Sequence, residues 1–159
     1  MARHTLATDD PVLHDFAAQV GADGPVAVRG HGTRWTLAGP LDPAARVVSA
    51  PTGIVDYRPA EMLVTVRAGT PVADLHATLA EAGQRTSLPE RGGTVGGAVA
   101  VGENCLDRLG RGSVRDAVLQ VRYVSAEGVL VAGGGPVVKN VSGFNIGKLI
   151  TGSLGTLGL

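Results

Sequence analysis

The segment Arg29-Gly-His-Gly-Thr33 directly follows the apolar run Pro25-Val-Ala-Val28, so two glycines stand at the end of a predicted strand. Glycine lacks a Cβ atom, so its peptide can approach a bound group closely and can turn successive N–H groups to one side. The segment therefore predicts a nest of backbone donors for a diphosphate, with the Arg29 guanidinium and the Thr33 hydroxyl beside it. Taken alone, it is equally typical of a tight turn between two strands.

Two further glycine clusters lie at residues 91–97 and 152–158, and glycine supplies 24 of the 159 residues. That share is about twice the usual value of roughly 7%, and no Gly-X-Y period or low-complexity tract explains it. Three clusters in one small domain favour a large phosphorylated ligand over three unrelated turns.

The common nucleotide-binding motifs are not matched. A dinucleotide-binding fingerprint needs G-x-G-x-x-G opening a helix, but Gly30-His-Gly32 is followed by Thr-Arg-Trp35. A Walker A loop needs four residues between its glycines, then Lys and Ser or Thr. The segment Gly143-Phe-Asn-Ile-Gly147-Lys-Leu149 has three, and ends in leucine. These mismatches argue against an NTPase and against the usual NAD-binding domain.

The composition excludes other classes of protein. Fourteen basic and fourteen acidic residues cancel, and no run of either sign exceeds two, which argues against nucleic-acid binding and a polybasic membrane patch. No apolar stretch approaches the roughly 18 residues of a membrane-spanning helix. Cys105 is the only cysteine, so we expect an inert thiol, no disulfide and no metal site. The expected location is the cytoplasm, with peripheral attachment to the inner membrane through a complex as the alternative.

Hydrophobic periodicity and turn residues predict an α+β fold. Asp10 and Thr70 are expected to cap two helices, each followed by a proline at the first helical position. The sequence changes to loop-type residues after about residue 83. This change predicts two subdomains, 1–83 and 84–159, whose loops face a shared cleft. The remaining expectations are strands at 25–28, 46–49, 53–56, 61–67, 116–125 and 129–132, with the last two joined as a hairpin, a break at 133–135, helical turns at 98–102 and a helix at 143–150. Val72, Leu75, Leu79 and Ala82 are expected to form the apolar face of the helix after Thr70.

The order of these motifs resembles the FAD-binding domain of the PCMH-type (vanillyl-alcohol oxidase/p-cresol methylhydroxylase) flavoprotein superfamily. Within it, the chain is most similar to the FAD-binding subunits of bacterial glycolate oxidases and the related D-lactate dehydrogenases. The resemblance covers nearly the whole chain, and its motifs are Val28-Arg-Gly-His-Gly-Thr33, Leu63-Val-Thr-Val-Arg-Ala-Gly-Thr-Pro71, Gly93-Thr-Val-Gly-Gly-Ala-Val-Ala100, Gly112-Ser-Val-Arg-Asp116, and Lys139-Asn-Val-Ser-Gly-Phe-Asn145 with Gly152-Ser-Leu-Gly-Thr-Leu-Gly158.

The resemblance implies two α+β subdomains that clasp an extended FAD. The chain would be one FAD-binding domain over residues 1–159, ending before its last strand and without a substrate-binding (cap) domain. The residues implied to contact the cofactor are Arg29, Gly30, His31, Gly32 and Thr33 at the diphosphate, Gly93, Thr94, Val95, Gly96, Gly97 and Ala100 at the diphosphate and flavin, Gly112, Ser113 and Asp116 nearby, and Gly158 and Leu159 at the adenine or ribose end.

The resemblance also implies an activity, which is the oxidation of a 2-hydroxy acid such as glycolate or D-lactate by hydride transfer to flavin N5. The catalytic base stays unassigned. The implied partners are another flavoprotein subunit and an iron–sulfur subunit. A sugar or polyol oxidase of the same superfamily and a non-catalytic flavoprotein subunit are the alternatives.

The mode of attachment follows from one position in the first loop. Many members of the superfamily attach FAD covalently through a histidine directly after the second glycine, and Thr33 stands there in this chain. His31 lies between the glycines, where its side chain projects differently. We therefore predict that FAD binds non-covalently.

Single side chains add little. His31 is expected to contact phosphate or solvent, and His14 and His76 are expected on the surface. Asp116 either holds backbone near the flavin or caps a turn. Lys139 and Lys148 are either solvated or in contact with a partner or a substrate carboxylate. Arg34 and Trp35 either cover the first loop or, for the tryptophan, pack in the core.

Overall fold

The computed structural model describes residues 10–135 and 145–159, and these residues form the predicted α+β fold. The strands are β1 Val26–Val28, β2 Arg46–Val48, β3 Ile54–Arg58, β4 Leu63–Val66, β5 Gln120–Val124 and β6 Leu130–Gly134. The helices are α1 Pro11–Val20, α2 Val72–Ala80, α3 Val95–Val101, α4 Arg108–Arg111, α5 Val114–Ala117 and α6 Ile146–Ile150, with short 3₁₀ turns at Trp35–Ala38 and Pro59–Glu61.

The described strands pair two by two. β1 and β2 are parallel, and their register places Val28 opposite Val48. β3 and β4 form an antiparallel pair with an irregularity between Ile54 and Asp56. β5 and β6 form the antiparallel hairpin that the sequence predicted.

Two apolar clusters hold these elements together. In the first, the stripe Val72, Leu75 and Leu79 of α2 packs on α3, on Leu88 and on Val114. In the second, Phe16, Ala17 and Val20 of α1 pack against Val124 of β5. Both clusters draw residues from either side of position 83, and the division into subdomains there stays a prediction.

Helix α1 begins where the sequence predicted. The Asp10 side chain accepts a hydrogen bond from the Val12 N–H at 3.0 Å, and Pro11 takes the first helical position. Thr70 does not cap α2, because Pro71 occupies the cap position. The Thr70 hydroxyl instead accepts a hydrogen bond from the Gly53 N–H at 2.9 Å, which joins the start of β3 to the end of β4.

The strand predicted over 116–125 begins only at Gln120, because residues 114–117 form the short helix α5. Ser113 caps this helix by accepting a hydrogen bond from the Asp116 N–H at 3.1 Å. The break predicted at 133–135 is also wrong, since Gly133 and Gly134 pair within β6. A Cβ on Gly133 would lie 2.5 Å from Cβ of Ile146, so glycine there allows α6 to pack closely on the strand.

His76 is buried, contrary to the surface position predicted for it, whereas His14 is exposed as predicted. His76 follows Val72 by four residues and therefore lies on the buried stripe of α2. Its Nδ1 lies 3.1 Å from Glu90 Oε1 and its Nε2 lies 2.8 Å from Thr86 Oγ1, so both ring nitrogens have polar partners.

The last residues run alongside β5. Leu159 donates to the Val124 carbonyl at 3.0 Å and accepts from the Val124 N–H at 2.7 Å, as the beginning of a further strand would do. Lys139, the motif from Lys139 to Phe144 and the start of the predicted helix at 143 lie outside the described residues.

Candidate functional site

A cleft of about 1900 Å³ is lined by all three glycine-rich loops. Pockets for drug-sized ligands usually measure about 300–1,000 Å³, so this cleft has room for a longer, extended molecule. The lining segments at the predicted site are residues 30–35, the helix start at 94–97 and, in the final loop, residues 153–156, 158 and 159.

The first loop presents free backbone donors. The N–H groups of residues 30–34 donate to no acceptor within 10–135 or 145–159. The donors on either side are used, since Arg29 N–H bonds the Val48 carbonyl at 2.8 Å and Trp35 N–H bonds the Gly32 carbonyl at 3.2 Å. Gly32 has a φ of +73°, which favours glycine. Consecutive unused N–H groups at a cleft form a site for an anionic oxygen cluster.

The last three residues of the second loop, which begin α3, use their N–H groups within the protein. The N–H of Val95 bonds the Thr70 carbonyl at 2.9 Å, and that of Gly96 bonds the Ala68 carbonyl at 2.7 Å. The Gly97 N–H bonds Thr94 Oγ1 at 3.3 Å. A Cβ on Gly96 would lie 2.7 Å from the Ala68 Cβ, so this glycine allows α3 to lie against the end of β4. Residues 95–97 therefore form a wall of the cleft without free N–H groups, whereas the N–H groups of residues 91–94 donate to no acceptor in the described part of the chain.

The first and second loops touch each other. A Cβ on Gly30 would lie 2.6 Å from Thr94 Oγ1, and Thr94 is itself buried as the cap of α3. Arg34 joins the loops a second time, because its Nη1 donates to Thr33 Oγ1 at 3.0 Å and to the Gly92 carbonyl at 3.1 Å. Its Nε lies 2.5 Å from Glu103 Oε2, just beyond the end of α3.

The third loop bonds to the C-terminal end of α3. The N–H of Gly152 bonds the Val99 carbonyl at 3.0 Å, and that of Leu154 bonds the Ala100 carbonyl at 2.8 Å. Leu154 has a φ of +56°, an uncommon conformation for a residue other than glycine. Gly158 lies against the Tyr123 ring, with no space for a Cβ atom.

Eleven of the residues predicted to contact the cofactor line the cleft together: Gly30, His31, Gly32, Thr33, Thr94, Val95, Gly96, Gly97, Ala100, Gly158 and Leu159. Five do not line it: Arg29, Gly93, Gly112, Ser113 and Asp116. The Arg29 guanidinium instead stands 5.3 Å from the centre of the Trp35 ring, a cation–π distance. That these five residues contact a cofactor stays a prediction.

Ser113 and Asp116 belong to a polar cluster beside the cleft. The Ser113 hydroxyl donates to Asp116 Oδ2 at 2.7 Å, and Lys148 Nζ lies 2.9 Å from Asp116 Oδ1. The hydrogen bond from Ser113, and then the bond and charge of Lys148, hold the pKa of Asp116 below its usual value. Ser113 is the residue that caps α5, and the role of Asp116 near the flavin stays a prediction.

Metal binding, membrane-spanning helices and the single thiol can also be assessed in the described part of the chain. Residues 10–135 and 145–159 hold no group of three or more His, Cys, Asp and Glu side chains that could bind a metal ion. Within the same ranges, no helix is both long and apolar enough to cross a membrane. The Cys105 thiol donates to the Ser87 carbonyl at 3.2 Å, and burial raises its pKa, so it stays a neutral thiol.

Three buried polar atoms have no hydrogen-bond partner among the residues that the structure describes: Arg34 Nη2, Arg67 Nε and Ser153 Oγ. All three residues line the cleft. Most buried polar groups in proteins are satisfied, so unpaired ones around a single cleft indicate a polar ligand. The sequence assigned no site role to Arg67 or Ser153, because nothing in the local pattern separates them from ordinary loop residues.

The charge cluster makes a prediction about Asp116. Replacing Ser113 with Ala and replacing Lys148 with Met are each expected to raise the pKa of Asp116, because the Ser113 hydrogen bond and the bond and charge of Lys148 all lower it. A lowered pKa in the folded chain stabilises the fold above the ordinary Asp pKa, and this contribution is lost as the pH falls through the lowered value. Carboxyl-carbon NMR titration measures both shifts. Arg115→Ala is the control, and an unchanged pKa in K148M would contradict the ion pair.

Comparisons with known proteins agree with this geometry. The family model described as "FAD binding domain" matches residues 15–134. Over 139 residues the chain is 37% identical to the glycolate oxidase subunit GlcE of Escherichia coli (strain K12), covering 85% of this chain and 40% of that protein. Over 108 residues it is 30% identical to the D-2-hydroxyglutarate dehydrogenase of Xanthomonas citri pv. viticola, covering 66% of this chain and 23% of that protein.

A solved structure has the same fold. The chain superposes on an alkyldihydroxyacetonephosphate synthase with a TM-score of 0.68 and 22% sequence identity, covering 85% of this chain and 25% of that one. The chain therefore spans less than half the length of each of these relatives. With the family model matching most of the chain and the cleft lined by the three glycine-rich loops, this chain belongs to the FAD binding domain family, as its resemblance to the PCMH-type flavoproteins predicted.

Proposed function

We propose that this chain is the FAD-binding domain of a flavin-dependent oxidoreductase that oxidises a 2-hydroxy acid. The observation that carries the cofactor assignment is the row of unused N–H groups at residues 30–34, because these residues line a cleft large enough for an extended ligand. The substrate class is supported by the relatives, since glycolate and D-2-hydroxyglutarate both carry a hydroxyl group on the carbon next to a carboxylate.

The residues present fit FAD. The nest at 30–34 suits a diphosphate, because each N–H donates to an anionic oxygen with no charged side chain required. Thr33 Oγ1 already accepts from Arg34 Nη1, which leaves its own proton free to donate to a phosphate oxygen. We propose that Thr94, Gly96 and Ala100 line the diphosphate and flavin, and that Gly158 and Leu159 lie at the adenine or ribose end.

When bound, FAD supplies the acceptor for the hydride that leaves the substrate. The contribution of this chain is to bind and orient. The start of α3 forms a wall of the cleft, and the N–H groups of Val95, Gly96 and Gly97 there are already bonded within the protein. We propose that the groups that bind the substrate carboxylate and take the hydroxyl proton lie in another domain, and that another flavoprotein subunit and an iron–sulfur subunit are partners. The name of the relative GlcE, a subunit, supports a complex.

We also propose that FAD is held without a covalent bond. Thr33, which follows the second glycine of the first loop, carries a hydroxyl in place of the histidine that many superfamily members use. His31 is exposed at the cleft between the two glycines. A cytoplasmic location accords with the single cysteine and is likewise a proposal.

Adding a methyl group where the first and second loops touch should weaken FAD binding. In Gly30→Ala the new methyl meets the buried Thr94 side chain, so the first loop must move away from α3. We expect the FAD dissociation constant to rise about tenfold or more, or ~1.4 kcal/mol. Quenching of flavin fluorescence measures it. Gly110→Ala is the matched control, because a Cβ there meets nothing within 4 Å. Equal affinities of the two variants would argue against the site.

Acid precipitation tests the mode of attachment. We expect the flavin to remain in the supernatant when flavin-loaded protein is denatured, because Thr33 offers no ring nitrogen for a covalent link. The absorption spectra of supernatant and pellet measure the partition. A yellow pellet that keeps its flavin after washing would disprove non-covalent binding, and His31→Ala would then show whether that histidine is the attachment point.

Anaerobic reduction tests the substrate class. Glycolate or D-lactate added to the flavin-loaded protein is expected to bleach the visible flavin band, because hydride transfer reduces the ring. A sugar alcohol is expected to leave the band unchanged. Bleaching by the sugar alcohol alone would contradict the proposed substrate class and favour a polyol oxidase. Reduction with dithionite is the control that shows that the bound flavin can be reduced.

A further inference from the structure

Two leucine side chains project into solvent from the segment around α4. Leu106 and Leu109 have the two highest exposed fractions, 107% and 103%, among the large hydrophobic residues that the structure describes. Hydrogen bonds from N–H groups to carbonyls three or four positions earlier make residues 105–112 helical. Side chains three positions apart on a helical segment are neighbours, so the two leucines lie side by side.

The segment that carries these leucines is fixed to the rest of the fold at both ends. The carbonyl of the buried residue Ser87 accepts from the Cys105 thiol at 3.2 Å, and the Ser87 hydroxyl donates to the Arg111 carbonyl at 3.0 Å. Just beyond the segment, the Val114 N–H donates to Asn104 Oδ1 at 3.0 Å. A surface that is ordered before binding loses less conformational entropy when a partner covers it.

The charges on the segment leave one guanidinium without a carboxylate. Asp107 and Arg111 form an ion pair with each other. Arg108 is exposed and forms no salt bridge with any residue in 10–135 or 145–159. Its charge is the smallest of the causes that lower the pKa of Asp116, and that carboxylate already pairs with Lys148 Nζ at 2.9 Å. The positive charge of Arg108 is therefore available to a partner.

Leu106, Arg108 and Leu109 together form a small surface, the α4 patch, whose complement is an apolar socket bordered by carboxylates. A second copy of the chain is a poor match, because a twofold contact between two α4 patches brings their Arg108 guanidinium groups toward each other. An anionic membrane is also a poor match, since adsorption to it uses a cluster of basic residues or a larger apolar face. The patch fits another protein best, because apolar side chains and an arginine together are characteristic of protein interfaces.

We propose that the α4 patch is the docking surface for another subunit of the proposed oxidoreductase, one that presents an apolar socket bordered by carboxylates. This inference rests on the proposed function, which includes partner subunits. The patch does not line the cleft, whereas Ser87 and Arg111 at the base of the segment do. A subunit docked on the patch therefore lies beside the cofactor cleft.

Photo-crosslinking in the cells that make the protein tests this contact. The photoreactive residue p-benzoylphenylalanine is placed at position 109 or, as a control, at position 129, where Val129 is 56% exposed and also lies outside the cleft lining. We expect irradiation to join position 109 to one separate polypeptide, next to Asp or Glu residues, and mass spectrometry to identify it as a flavoprotein or iron–sulfur subunit. Position 129 is expected to give no such adduct.

The affinity between the purified chain and the identified subunit then tests each side chain. Leu109→Glu is expected to weaken binding about tenfold or more, because a carboxylate in an apolar socket loses its hydration. Arg108→Glu is expected to weaken binding about tenfold or more and to reduce the loss of affinity caused by added salt, because it removes the attraction to carboxylates.

Val129→Glu is the matched control, since it adds the same charge at another exposed position. We expect V129E to change the affinity for the subunit by less than about twofold, because a charge far from the contact is screened. The FAD dissociation constants of L109E, R108E and V129E are expected to equal that of the unaltered chain, because none of these positions lines the cleft. Circular dichroism checks that each variant is folded.

The docking role would be overturned if position 109 gave no adduct, or an adduct only with a second copy, with lipid or within its own polypeptide. Equal losses of affinity in L109E and V129E would overturn it as well. Titration of the unaltered chain with FAD tests the proposed function separately. FAD binding without a subunit adduct overturns this inference alone, whereas a subunit adduct in a chain that does not bind FAD overturns the proposed function.

Discussion

The closeness of Gly30 to Thr94 is the constraint on which the site depends. The first loop can reach the start of α3 only because position 30 has no Cβ, which would lie 2.6 Å from Thr94 Oγ1. The same oxygen accepts the Gly97 N–H and so caps the helix, and the Gly93 carbonyl next to it accepts the Val72 N–H that begins α2. One contact therefore sets the first loop against both helices and defines the floor of the cleft.

Around that contact, the N–H groups of the first loop and those at the start of α3 are used differently. The N–H groups of residues 30–34 are left unused in the described chain, whereas those of Val95, Gly96 and Gly97 are bonded within the protein. The physical difference is packing. Because α3 lies against Ala68, the N–H groups of Val95 and Gly96 bond to carbonyls that follow β4. Arg34 then ties the loop of free donors to the wall through Glu103.

Much of the fold could be predicted from local patterns. The cap at Asp10, the stripe on α2 and the hairpin of β5 and β6 depend on near neighbours in sequence and were found. The errors occurred where a distant segment decided the outcome. Gly133 stays in its strand because Ile146 packs on it, Thr70 bonds to Gly53 and does not cap α2, and His76 is buried because Thr86 and Glu90 supply polar partners.

The sequence by itself determined that glycine-rich loops follow strands, that Thr33 stands after the second glycine, and that the motif order is that of an FAD-binding domain. These are properties of residue type and spacing along the chain. Only the tertiary structure decided which backbone N–H groups are free and that Arg34 joins the first and second loops. It also decided that Arg29 stacks on Trp35 and does not line the cleft. Hydrogen-bond partners such as Glu103, 69 residues from Arg34, are chosen by how the backbone packs, and no local pattern encodes that choice.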